Sequence, residues 1–153
     1  MQPRMNVKKH APALYEAMLN LEAAMGRSSL PHVTYELVKL RASQINGCGF
    51  CVDMHAYDLK KSGESDERIW SVAAWREAPY YTEAERAALA LAEAATRLAD
   101  NPHGVPDDVW EEAAKHYDEE TLAALVMAVA VINAWNRICV TTRQVAGSYR
   151  RTA

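Results

Sequence analysis

Apolar residues recur at three- and four-residue intervals along nearly the whole chain, and runs that alternate apolar with polar residues are almost absent, so the pattern predicts an all-α protein. Leu14, Met18 and Leu21 share one face of a helix over Pro12 to Met25, which Gly26 stops. Pro31 suits the first turn of a second helix running to about Ile45, and Asn46-Gly47 breaks it. A third helix runs from about Cys48 to Lys61. A fourth begins after Ser65 and carries Ile69, Val72 and Ala73, flanked by Trp70 and Trp75. Thr82 and Glu85 have capping-box spacing, so a fifth helix starts there and continues through Leu89, Leu91 and Leu98 to the break at Asn101-Pro102-His103-Gly104. Pro106 to about Tyr117 reads as a short amphipathic helix, and Asp118 caps a long last helix reaching about Gln144.

From Thr121 to Asn136 that last helix carries no charge. The run is shorter than the ~20 apolar residues that span a bilayer and contains Asn133 and Asn136, so it predicts a buried central helix covered on several sides, by the rest of the fold or by other subunits. The expectation is one domain over residues 1–153, a bundle of about six to seven helices with no repeat, linker or low-complexity segment.

The net charge is −3, with basic residues scattered among acidic ones, which argues against a nucleic-acid partner. The first residues lack an unbroken apolar stretch and a cleavage signal, so the expected location is the cytoplasm and no membrane partner is expected. The chain has three cysteines, two close together and the third far away in an apolar run, unlike a secreted disulfide scaffold. In a reducing compartment a close pair points to redox or metal chemistry.

Cys48, Cys51 and His55 stand at i, i+3 and i+7 from the start of the third helix, on one face. A thiol in a helix's first turn feels the positive end of the dipole and nearby N–H groups, which favour its thiolate, the nucleophilic form. Reversal at Asn46-Gly47 brings Glu36 level with His55 across an antiparallel helix pair, and a carboxylate at the margin of an apolar face needs a partner or a task. Buried inert thiols remain an alternative. Zinc is another, with Cys48, Cys51 and His55 as three ligands, but no fourth is evident, so no metal and no cofactor is expected. Haem attachment needs histidine directly after the second cysteine, where Val52 stands, and a thioredoxin fold needs a preceding strand.

The remaining candidates read as structural. Cys139 shares a heptad stripe with Leu125 and Ile132 and reads as a core thiol without chemistry. His10, His32, His103 and His116 fall near helix ends or in loops, as surface histidines do. Asn133 and Asn136 read as bonded to neighbouring backbone or to each other across an interface. Trp70, Trp75, Tyr80 and Tyr81 serve packing, with an apolar pocket wall near the site as the alternative.

The spacing glutamate, eleven residues, then C-x-x-C-x-x-x-H, carried by Glu36, Cys48, Cys51 and His55 with the intervening Leu40 to Gly47, resembles the alkylhydroperoxidase D-like branch of the carboxymuconolactone decarboxylase family. The resemblance is closest over roughly Ala13 to Ala99, and Ile132 to Arg137 resembles a secondary family segment. It implies an all-helical fold assembled as a trimer or hexamer, and reduction of hydroperoxides through a dithiol/disulfide cycle. It also implies catalytic Cys51, Cys48, His55 and Glu36, with Cys51 attacking, Cys48 resolving and an external dithiol or thioredoxin-like reductant restoring the pair. Phe50 departs from the pattern, since some peroxidase members carry a histidine immediately before the second cysteine. A disulfide reductase or redox sensor, and a decarboxylase or lactone-processing enzyme using Glu36 and His55 alone, are the alternative functions.

Overall fold

In the computed structural model, residues 2–151 are described; Met1, Thr152 and Ala153, at the ends of the expected 1–153 domain, lie outside them. Eight α-helices and no strand occur among the described residues: α1 (Val7–His10), α2 (Pro12–Met25), α3 (His32–Ile45), α4 (Gly49–Lys61), α5 (Asp66–Ser71), α6 (Glu83–Thr96), α7 (Asp107–His116) and α8 (Glu119–Thr142). The expected six to seven becomes eight because of α1, a single turn whose start is capped by the Asn6 side chain. The Thr82/Glu85 capping box is present at α6, and Asp118 caps α8 by accepting the Thr121 N–H. Pro31 and Cys48 stand at the cap positions of α3 and α4, one residue outside the helices. On α2 the buried side is set by Met18, Leu21 and Met25, whereas Leu14 is exposed.

The most enclosed helix is α3, not the uncharged α8, which corrects the expectation from charge alone. Thr34 to Leu40, Ala42 and Ser43 are all buried, because α3 packs on α4, α6 and α8 together. Its two buried charges, Glu36 and Lys39, are tolerated because they pair with each other at 2.7 Å. By length and composition α8 is long and apolar enough to cross a membrane, since the 24-residue helix exceeds the uncharged run within it. It packs against α2, α3, α4, α6 and α7, as the core helix of a soluble-protein fold does, burying Leu122, Leu125, Val129, Ile132, Asn136 and Cys139. Val126, Met127 and Val140 leave a second, exposed apolar strip. The core has three parts: one between α2, α3, α6, α7 and α8; one between α3, α4, α6 and the Ile69–Trp75 segment; and a small one formed by Ala42, Cys48, Cys51, Ile132 and Cys139.

Candidate active site

The reversal between α3 and α4 sets the site. Gly47 takes φ +67°, a conformation that costs other residues strain, and so lets the chain double back within two residues of Ile45. Asparagines of α8 pin this turn: Asn46 Nδ2 donates to Asn133 Oδ1 at 3.0 Å and to Asn136 Oδ1 at 2.9 Å, and Asn136 Nδ2 donates to Ser43 Oγ at 3.0 Å. Asn133 also donates to the Val129 carbonyl. These asparagines therefore bond within the chain, and the turn that presents the cysteines is tied to α8 at its far end.

The Cys48 and Cys51 sulfurs lie 2.6 Å apart, so only a small closing movement separates them from the roughly 2.05 Å of a disulfide. Cys48 sits at the cap of α4, where its sulfur accepts the Cys51 N–H. Cys139, expected to be inert core, is the unforeseen member: its sulfur lies within 4.8 Å of both others. Hydrogen bonds from the Cys139 and Cys51 thiols, aided by the Cys51 N–H and Asn136, outweigh burial and pull Cys48 down to about 3. The Cys139 thiol favours an ionised Cys51 too, but the hydrogen bond with Cys48, burial and the Cys48 charge together push Cys51 up to about 12. Cys139 is pushed up by the Cys48 and Cys51 sulfurs and by burial. Of the three thiols, Cys48 is thus the one whose surroundings favour the thiolate.

Glu36 and His55 meet as the hairpin geometry predicts, His55 Nδ1 lying 2.9 Å from Glu36 Oε2, with both side chains buried. The other carboxylate oxygen receives Lys39 Nζ. Burial raises the Glu36 carboxyl, but the His55 and Lys39 hydrogen bonds and their charges hold it below the ordinary carboxylate value. The ionised carboxylate accepts from Nδ1–H, which fixes the imidazole so that Nε2 is the basic nitrogen. That Nε2 is the one buried side-chain polar atom without a hydrogen-bond partner among the described residues. Lys39 reaches Glu22, which also accepts from Tyr35 and Trp135, so a chain of polar groups runs from His55 into α2 and α8. Nothing in the spacing had singled out Lys39 or Glu22.

A cavity of about 840 Å³ opens on this arrangement. Cys51, His55 and Cys139 line it, and Cys48 does not. Its walls are mainly apolar, with Tyr15, Trp135, Phe50 and Tyr149 as the aromatic parts. The aromatic residues considered from the sequence lie elsewhere: Trp75 and Tyr81 are buried in the core beside α4 and α6, and Trp70 is exposed. Phe50, half-buried, packs against the cysteine cluster and stacks edgewise on Tyr149 at 5.6 Å. Two groups here have metal-ligand chemistry: Cys48, Cys51 and Cys139, and Glu36, His55 and Asp58. His55 thus falls with the carboxylates and not with the thiols, which divides the three-ligand zinc set that the spacing suggested.

Residues 12–94 match the Carboxymuconolactone decarboxylase family. YdfG of Bacillus subtilis (strain 168), an uncharacterized protein, is 40% identical over 140 residues, 92% of this chain and 94% of its own. A crystal structure from Agrobacterium tumefaciens, of a protein of unknown function suggested to be the antioxidant defence protein AhpD, superposes with a TM-score of 0.91 at 40% identity, over 95% of this chain and 98% of that one. A stretch of 45 residues is 42% identical to alkyl hydroperoxide reductase AhpD of Hyphomonas neptunium, 29% of this chain and 25% of that protein.

Proposed function

Because this chain belongs to the carboxymuconolactone decarboxylase family, in its alkylhydroperoxidase D-like branch, we propose that it is a thiol-dependent peroxidase cycling Cys48 and Cys51 between dithiol and disulfide. The observation that carries this reading is the pair of sulfurs 2.6 Å apart, one of which, Cys51, lines an apolar cavity that His55 lines as well. Cys51 is the attacking thiol because a hydroperoxide in the cavity meets it and not Cys48. Against the Cys139 hydrogen bond, the Cys48 hydrogen bond and charge, with burial, hold Cys51 as the protonated thiol at neutral pH, so the proton must leave during the attack. His55 Nε2 takes it while Glu36 stabilises the imidazolium, a general-base contribution of roughly a hundredfold or more.

In the first step Cys51 Sγ bonds to the terminal oxygen, the O–O bond breaks, and the alcohol leaves with the proton from His55, giving a Cys51 sulfenic acid. The Cys48 thiolate then attacks the Cys51 sulfur, the S–O bond breaks, and the departing hydroxide takes a proton from solvent and leaves as water, giving the disulfide. An external dithiol, thioredoxin-like in chemistry, attacks Cys51, and Cys48 departs as the thiolate its surroundings favour; a low-pKa thiol is the better leaving group. The split in thiol acidity thus suits Cys48 to resolving and leaving. Steady-state reduction of cumene hydroperoxide by excess dithiothreitol tests the proposal. Wild type should turn over and Cys51→Ser should not; equal rates for the two would reject it.

Phe50 favours one second reading, a disulfide reductase or redox sensor, since it puts an apolar ring where a proton carrier would assist peroxide cleavage. Rapid reduction of a small disulfide with negligible peroxide turnover would select it.

A further inference from the structure

We propose that Cys139 is a third redox-active thiol, which takes over the disulfide from Cys48 to form a Cys51–Cys139 bond. The inference rests on the dithiol chemistry proposed above and extends it to a residue on a different helix.

Three observations lead to it. The Cys139 sulfur lies within 4.8 Å of both other sulfurs, so it is within reach of whichever is oxidised. It lines the same cavity as Cys51, whereas Cys48 does not line it. Its own surroundings change with the oxidation state of the pair. In the reduced protein the Cys48 and Cys51 sulfurs, with burial, suppress its ionisation. Once those two sulfurs are joined, neither carries charge nor a thiol hydrogen, and of these influences only burial persists. Cys139 is therefore a poor nucleophile while the pair is reduced and a better one after the pair has been oxidised.

The exchange is balanced without further reagents. The Cys139 thiol gives up its proton, for which His55 on the same cavity wall is the available base, and its sulfur attacks Cys51 Sγ. The Cys51–Cys48 bond breaks, the Cys51–Cys139 bond forms, and Cys48 leaves as the thiolate that Asn136 and the α4 cap favour. No electrons enter or leave. The same product arises directly when Cys139 condenses with a Cys51 sulfenic acid and releases water. The new bond ties α4 to α8 and puts both of its sulfurs on the cavity wall.

The test maps disulfides in wild type, Cys48→Ser and Cys139→Ser after one equivalent of cumene hydroperoxide and alkylation of the remaining thiols. Phe50 lies between Cys48 and Cys51, so chymotryptic cleavage after it separates the two and makes each linkage distinct by mass. In wild type the Cys48–Cys51 linkage should appear first and the Cys51–Cys139 linkage should grow from it. Cys48→Ser should give Cys51–Cys139 as its main product, and Cys139→Ser only Cys48–Cys51. A wild type that forms Cys48–Cys51 but never Cys51–Cys139, with Cys139 fully alkylated in every sample, overturns this inference and leaves the peroxidase reading standing. No disulfide in any sample overturns both. The wild-type time course needs no variant to fold.

Discussion

Replacing Glu36 with Gln isolates the electrostatic part of the proposed proton transfer, because the amide keeps the shape and one hydrogen bond but loses the charge. Glu36 Oε2 lies 2.9 Å from His55 Nδ1. For charge centres about 4 Å apart and an effective dielectric constant of about 20, Coulomb attraction between carboxylate and imidazolium is about 4 kcal/mol. Lys39, 2.7 Å from the other carboxylate oxygen, offsets part of that. The hydrogen bond that Gln retains is worth about 1 kcal/mol. A net loss of at most about 3 kcal/mol remains, on the order of a hundredfold in rate. The assay is single-turnover oxidation of the thiols by cumene hydroperoxide across pH, with circular dichroism to check the fold. The Gln variant should react about a hundredfold more slowly throughout the pH range in which wild type reacts, because forming the imidazolium beside a neutral amide is harder. Superimposable rate profiles would refute the reasoning and reduce Glu36 to a structural partner.

Reduced wild type should hold one thiolate across neutral pH, seen as ultraviolet thiolate absorbance, and Cys48→Ser should abolish it, since Cys48 is drawn down to about 3. Asn136→Ala should destabilise the fold by about 1–3 kcal/mol in urea denaturation, because it leaves Asn46 and Ser43 short of a buried partner. Burial raises the Glu93 carboxyl, but Arg76, Trp75 and Arg41 together hold it below the ordinary value. A depressed folded value means stability fully present above the unfolded carboxylate pKa of about 4.3 and lost as pH falls through the folded one. Melting temperature should therefore drop more steeply below about pH 4.3 for wild type than for Glu93→Gln, while the variant melts lower at pH 7. A homo-oligomer is expected to cover the exposed Val126, Met127 and Val140 of α8, and light scattering at micromolar concentration checks it, a monomer mass counting against it.

Helical periodicity and cap chemistry carried most of the architecture, because Thr82, Asp118 and Gly47 act through local backbone bonds that sequence spacing reports directly. The Glu36–His55 contact was legible for the same reason, since a two-residue reversal leaves the register of a helix pair little freedom. Cys139 shows where such reasoning stops. Its heptad spacing with Ile132 did put it on a buried face, but periodicity cannot say which neighbour that face meets, and the neighbour is the cysteine pair. Lys39 and Glu22 were missed because partners 17 positions apart on different helices meet only through tertiary packing. The aromatic wall went the same way: Trp135 and Tyr149 reach the cavity from the far end of the chain, while Trp75 and Tyr81, closer in sequence to the motif, turn into the core.

The central claim is that Cys51 and its neighbouring thiol reduce a hydroperoxide by forming a disulfide. Counting free thiols in the denatured protein, before and after one equivalent of cumene hydroperoxide, tests it most directly. The three cysteines of the chain should fall to a single free thiol, with Cys51 in the bond, full recovery after dithiothreitol, and one alcohol formed per molecule. An unchanged count with the hydroperoxide unconsumed would contradict it.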